Sequence, residues 1–202
     1  MYKLFLKRLI DIVIALIGII ILAIPMLIVT IIIKIDDPGP ALFKQKRVGI
    51  HKTYFQLYKF RSMKLNTPDI PTHLLENPEQ YLIGIGGAIR KLSIDELPQL
   101  FNILKGDMSI IGPRPALWNQ DDLVAERDKY GANDVKPGLT GWAQINGRDE
   151  LEIPMKAKYD GEYVERMSFL FDCKCFFLTI KSVLKHEGVV EGGTGTINED
   201  KN

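Results

Sequence analysis

Cysteine is almost absent from this 202-residue chain: Cys173 and Cys175 are the only two, spaced C-x-C in an apolar run with no histidine near them. That spacing supports neither a disulfide framework nor a zinc site, and it fits a domain facing a reducing compartment. Net charge is lacking as well. The 26 lysines and arginines nearly balance 25 aspartates and glutamates, for a net charge of +1. The chain therefore has no overall basic footprint of a nucleic-acid binder, and any cationic surface must be local. Nothing repeats at a fixed period, and the length suits one core plus an anchor. A second long apolar run is missing too, which speaks against a polytopic membrane enzyme.

One long apolar run is present. Residues Ile12 to Ile33 carry no charged side chain, and as a helix they would measure about 33 Å against a hydrocarbon core of roughly 30 Å. The run is longer than a signal-peptide core and has no small-residue cleavage site before Lys34, so it is expected to be retained. Lys3, Lys7 and Arg8 precede it; Lys34, Lys44, Lys46, Arg47 and Lys52 follow. Cations on both flanks leave a one-way crossing ambiguous. Pro25, near the middle, removes an internal hydrogen bond and predicts a kink, which a transmembrane helix can also tolerate.

The remainder is organised around Arg90-Lys91-Leu92-Ser93-Ile94-Asp95-Glu96-Leu97-Pro98 and the helix after it. Leu97, Leu100, Phe101 and Leu104 recur at helical spacing and predict a buried face, with Gly106 as the stop. Asp95 and Glu96 are then expected in the first turn, where backbone donors favour anions. Ser93 and Glu96 also have capping-box spacing, although Pro98 fits better with an N-cap at Asp95. Capping accounts for one acid, not two. Downstream, Pro113 and Pro115 bracket Arg114 and would hold its guanidinium fork in one direction, suited to a phosphate or to an ordinary salt bridge.

Elsewhere, Asp36–Pro40 reads as a loop, and residues 41–48 and 53–63 as two short strands joined through Gly49–Lys52. In the second strand Phe55, Leu57, Lys59, Arg61 and Met63 share a face, and two cations there need an anion. Residues 65–82, with Pro68, Pro71 and Pro78, read as a loop holding at most one helical turn. Gly84–Gly87 is a poor phosphate loop and a better flexible helix entry. Helices are predicted over 116–130, ending at Gly131, over 155–167, and over 169–185. The glycines of Lys136–Arg148 allow close backbone approach, with Lys136, Gln144 and Arg148 able to address phosphate or uracil; a tight turn into a strand, with Trp142 buried, is the competing reading. Asp172 is the sole acid of its apolar run. From Glu187 the tail is expected to be flexible.

Three motifs, KFRSM at 59–63, RKLSIDELPQLFNILKGDMSIIGPRP at 90–115 and KPGLTGWAQINGRDE at 136–150, resemble those of the bacterial sugar transferases. These are small monotopic phosphoglycosyl transferases that move a sugar phosphate from a UDP-sugar to polyprenyl (undecaprenyl) phosphate and release UMP. The resemblance runs from the first apolar helix to about residue 190. It implies an α+β, mostly helical catalytic domain with short strands (36–190) after a Pro-broken, re-entrant membrane helix (1–35), with a tail at 191–202. The domain would face the cytoplasm at the bacterial inner membrane, at the first membrane step of exopolysaccharide, capsule or lipopolysaccharide assembly. Asp95 would be the nucleophile that forms an aspartyl-phosphosugar and, with pyrophosphate oxygens, would hold Mg²⁺; Glu96 would assist. Lys59, Arg61, Arg90, Arg114, Lys136, Gln144 and Arg148 would contact substrate, and Asp172 would support the site. The sequence leaves the sugar and the oligomeric state open, and an adaptor or a nucleotide-sugar hydrolase on the same anchor remain as alternatives.

Overall fold

A computed structural model describes residues 2–68, 75, 77–147 and 151–185. After a π-helical turn over Tyr2–Leu6, helix α1 runs from Lys7 to Asp36, 30 residues. At about 1.5 Å per residue that is roughly 45 Å. The helix is continuous through Pro25, so the break expected there is not a loss of helical structure. Leu22 and Met26, on either side of the proline, both pack on the domain.

One face of α1 is buried along most of its length, through Asp11, Ala15, Met26, Val29 and Ile33. The opposite side leaves Val13, Ile17, Ile20, Ile24, Leu27 and Ile31 exposed. Among the described residues this is one helix long and apolar enough to cross a membrane.

Strands β1 (Leu42–Val48) and β2 (Tyr54–Phe60) form an antiparallel hairpin in which Phe43 faces Lys59 and Val48 faces Tyr54. Alternation puts Phe55 and Leu57 inward, as predicted, and ends where Phe60 turns into a second core. A 3₁₀ turn over Pro78–Tyr81 and helix α2 (Gly86–Lys91) lead to a second 3₁₀ turn, Ile94–Glu96, and helix α3 (Gln99–Lys105). Gly106, at φ +101°, stops α3.

Strand β3 (Ser109–Ile111) pairs in parallel with β4 (Gly138–Thr140), a pairing the sequence reading did not foresee. Helix α4 (Asp121–Asp128) lies between them in the chain and starts later than the predicted 116, because Ala116 and Leu117 pair with β1 and a turn from Leu117 to Gln120 follows. Helices α5 (Trp142–Ile145), α6 (Ile153–Arg166) and α7 (Phe169–Lys185) complete the order. The fold is thus mixed helix and strand, mostly helical.

Two apolar cores flank α1. Ala15 packs with Leu57, Leu100, Ile103, Met108, Ile111, Tyr163 and Phe171, while Met26, Val29 and Ile33 pack with Ala41, Phe60, Ile83 and Ile89. Polar ties reinforce both ends. Arg8 donates to the carbonyls of Ile103 and Leu104, capping α3, and the buried Asp11 accepts from Ser109 Oγ and Ile110 N at 2.8 and 2.9 Å. At the far end Asp36 accepts from Ile85 N, and Asp37 pairs with Arg61 at 2.9 Å.

Candidate functional site

The chain leaves α2 through Ser93, whose φ of +54° throws it into the Ile94–Glu96 turn. Ser93 makes no side-chain cap, and α3 begins after Pro98 with no side-chain cap either. The N-cap expected at Asp95 lies instead at Pro98, so the two acids sit in the 3₁₀ turn before α3 and not in its first turn. Both point toward cations. Lys59, at the end of β2, places Nζ 2.9 Å from Glu96 Oε1 and 3.5 Å from Asp95 Oδ2. Arg114 brings Nη2 to 3.4 Å from the same Glu96 oxygen. A small cleft at this point is lined by Arg47, Lys59, Glu96, Gln99, Arg114 and Gly138.

Asp95 is 8% exposed. Burial, helped by the charge of Glu96, holds its carboxyl above the ordinary range, while Lys59 and Arg90 pull it down. Charge in this cluster is thus held against desolvation, a common feature of functional sites. Hard oxygen donors fit Mg²⁺ in the mode that combines one or two carboxylates with substrate phosphates. Among the described residues no group of three or more metal-ligating side chains exists, so an all-protein cage is not the fit.

Of the residues singled out in the sequence, Asp95, Glu96, Lys59, Arg90 and Arg114 come together. Arg90 also reaches Met63 Sδ at 3.2 Å. Arg61 does not join them: it is buried and bound to Asp37 and its carbonyl, fastening the hairpin to the end of α1. Lys136 lies at the opposite end of α3, beside Arg8, Asp11 and Asp107, where burial lowers its proton affinity. Asp172 accepts from Tyr2, Lys7 and Tyr163, so it ties α7 to the start of α1 and not to the cleft. Gln144 has both amide atoms buried without a hydrogen bond, next to Gly141 and the carbonyl of Gly112. Arg148 lies outside the described residues.

Other expectations resolve similarly. Gly84 and Gly86 serve close approach, since a Cβ there would fall 2.4 Å from Asp36 Oδ1 and 2.1 Å from the Ser62 carbonyl. Trp142 is partly buried and donates to Glu162 at 3.0 Å. Burial pushes the Cys175 thiol up to about 12, so it is an inert core group. The predicted α3 face is half right. Phe101 is exposed, and Asn102, fully buried, takes its place by bonding Tyr58 N and the Gln56 carbonyl across β2.

Sequence reasoning missed Arg47, Asp11 and the buried Arg127–Asp160 pair. For Asp11 a signal existed: an acid opening a long apolar run is costly unless partnered.

Residues 2–186 match the family described as bacterial sugar transferase. The chain is 43% identical over 184 residues to an uncharacterized sugar transferase, EpsL, of Bacillus subtilis, covering 91% of this chain and 90% of that one. It is 37% identical to an undecaprenyl-phosphate galactose phosphotransferase of Salmonella typhimurium and to a UDP-glucose:undecaprenyl-phosphate glucose-1-phosphate transferase of Escherichia coli. Those alignments take in 91% and 87% of this chain but only 41% and 39% of the two enzymes, so the chain spans less than half of their length.

Proposed function

The chain belongs to the bacterial sugar transferase family, and on that premise we propose that it transfers a sugar phosphate from a UDP-sugar to polyprenyl phosphate by a covalent route. The observation that carries the reading is the pair of adjacent acids Asp95 and Glu96 gathered with Lys59, Arg114 and Arg90, Glu96 and two of those cations lining one cleft.

Asp95 attacks the β-phosphorus of the donor. A carboxylate oxygen–phosphorus bond forms, the bond from that phosphorus to the UMP oxygen breaks, and UMP leaves with the bonding electrons. An oxygen of polyprenyl phosphate then attacks the same phosphorus, and the aspartate is released. Glu96 holds Lys59 and Arg114 in place before substrate enters; both cations then face the charge on the transferred phosphoryl group. When bound, Mg²⁺ would be held by Asp95 and pyrophosphate oxygens and would neutralise part of their charge. The exposed apolar side of α1 brings the site to the membrane that holds the lipid acceptor, and the domain faces the cytoplasm, where UDP-sugars are made.

A panel of UDP-sugars with Mg²⁺, scored for UMP with and without polyprenyl phosphate, tests this reading. Without acceptor, roughly one UMP per chain should appear, together with a sugar-phosphate mass on the peptide holding Asp95. With acceptor, turnover should follow, and Asp95→Asn should abolish both. Turnover without acceptor would mean a hydrolase. UMP only with acceptor and no adduct would mean direct transfer, and no UMP at all would favour an adaptor.

A further inference from the structure

Four consecutive carbonyls of the turn that carries Arg114 are held by four different partners. Gly138 N donates to the Pro113 carbonyl at 2.8 Å and Val48 N to the Ala116 carbonyl at 2.9 Å, ordinary pairings with β4 and β1. The two carbonyls between them are taken by guanidinium groups: Arg127 Nη2 donates to the Arg114 carbonyl at 2.9 Å, and Arg47 Nη1 to the Pro115 carbonyl at 3.1 Å. Pro113 and Pro115 have no N–H, so this segment cannot join a regular ladder, and side chains from outside supply the missing order.

The carbonyls of Pro113 and Arg114 belong to the two peptide planes that flank the Arg114 Cα. Because each plane is rigid, bonding both fixes φ and ψ of Arg114 and with them the direction of its Cα–Cβ bond, from which the side chain sets out. Arg127 is itself immobilised. It is 4% exposed on α4 and bound through Nε and Nη2 to Asp160 of α6, 1% exposed, at 2.8 and 2.6 Å. A buried ion pair is a poor source of stability, since desolvation offsets most of the attraction. What it does supply is a donor fixed in space. Arg47, on the cleft wall, has its second terminal nitrogen, Nη2, fixed by Gln45 Oε1 at 2.6 Å.

We propose that Arg127, with Asp160 behind it, and Arg47 are positioning residues that aim Arg114 at the anionic phosphate of the donor. The proposal rests on the transfer reading above and adds a second layer to it. Aim matters because a misplacement of about 1 Å can cost on the order of 100-fold in rate.

A double-mutant cycle tests it in the full-length, membrane-bound chain. Arg127→Lys, Arg114→Ala and the double variant are compared in kcat/KM for UMP release and, in parallel, in affinity for UDP. Acting through Arg114, Arg127→Lys should lower kcat/KM roughly 10- to 100-fold in the wild-type background, but less than about 3-fold once Arg114 is gone. Equal losses in both backgrounds would overturn the proposal, as would an Arg114→Ala variant with unchanged kcat/KM and UDP affinity. Arg47→Gln in the same cycle carries the test if Arg127→Lys does not fold, and loss of fold in both would show the contacts to be scaffolding and overturn it. A wild type that binds UDP but releases no UMP would sink the transfer reading alone, leaving the affinity cycle to decide the positioning role.

Discussion

Burial raises the proton affinity of Asp95 while Lys59 and Arg90 lower it, and burial wins. Two consequences follow from that one imbalance. In the proposed role as nucleophile Asp95 must be ionised to attack, so the acid limb of kcat/KM should fall at a pH above the ordinary carboxylate value of 3.8. A plot of UMP release against pH checks this, and a limb at or below that value would contradict it. The second consequence concerns stability. A carboxyl whose proton affinity is raised by folding contributes fully below its unfolded pKa, and that contribution is lost as pH rises through the folded value. At neutral pH the ionised Asp95 is therefore a net cost, and Asp95→Asn should melt at or above the wild-type temperature while making no UMP. The gap should close as pH falls below the ordinary carboxylate range. Glu96→Gln behaves differently. It keeps the nucleophile but loosens Lys59 and Arg114, so it should react more slowly without losing the adduct on Asp95.

At the level of elements, α1 is a structural strut as well as an anchor, because its first turns cap α3 through Arg8 and hold β3 through Asp11. Asp11→Ala would orphan the buried Ser109 hydroxyl and Ile110 N–H at a cost of about 1–3 kcal/mol for each. Since β3 runs directly into Gly112–Arg114, activity should fall together with melting temperature; a variant with wild-type melting would refute the strut. These ties also show what the sequence could and could not reveal. Helix α7 was legible from its start at Phe169 through all its described residues, and the hairpin nearly so, because each obeys one period over many residues. β3 and β4 were not, being three residues each and defined by parallel pairing between segments far apart in the chain. Asp95, Glu96, Lys59 and Arg114 were legible through motif order. Arg47 and Arg127 were not, because a guanidinium that bonds a distant carbonyl leaves no trace in local spacing. The misjudged face of α3 has a similar cause: Asn102 is buried to satisfy backbone groups of β2, and no helical pattern announces that need.

Taken as a whole, the molecule constrains how it can sit in a membrane. Both ends of α1 are tied to the same domain, the first through Lys7 to Asp172 and Asp11 to β3, the last through Asp36 to Ile85 and Asp37 to Arg61. Ala15, Met26, Val29 and Ile33 join those ends along one buried face. A helix crossing the full bilayer would separate its ends by the roughly 30 Å hydrocarbon core and would have to leave a domain that stays in water on one side. Keeping every contact requires that the helix enter by its exposed apolar side while both ends remain with the domain. We propose from this arrangement the same-face topology that the family resemblance implies, with the two sets of ties rather than Pro25 as its cause. We therefore expect that Lys3→Cys, in a chain with Cys173 and Cys175 replaced by serine, resists an impermeant thiol reagent in intact cells and reacts after permeabilisation. Adding Pro25→Ala should leave that pattern unchanged, since the ties lie on either side of the proline. Labelling from outside in the first variant would establish a crossing helix and overturn the same-face reading; labelling only in the second would show that the proline, and not the domain contacts, sets the topology.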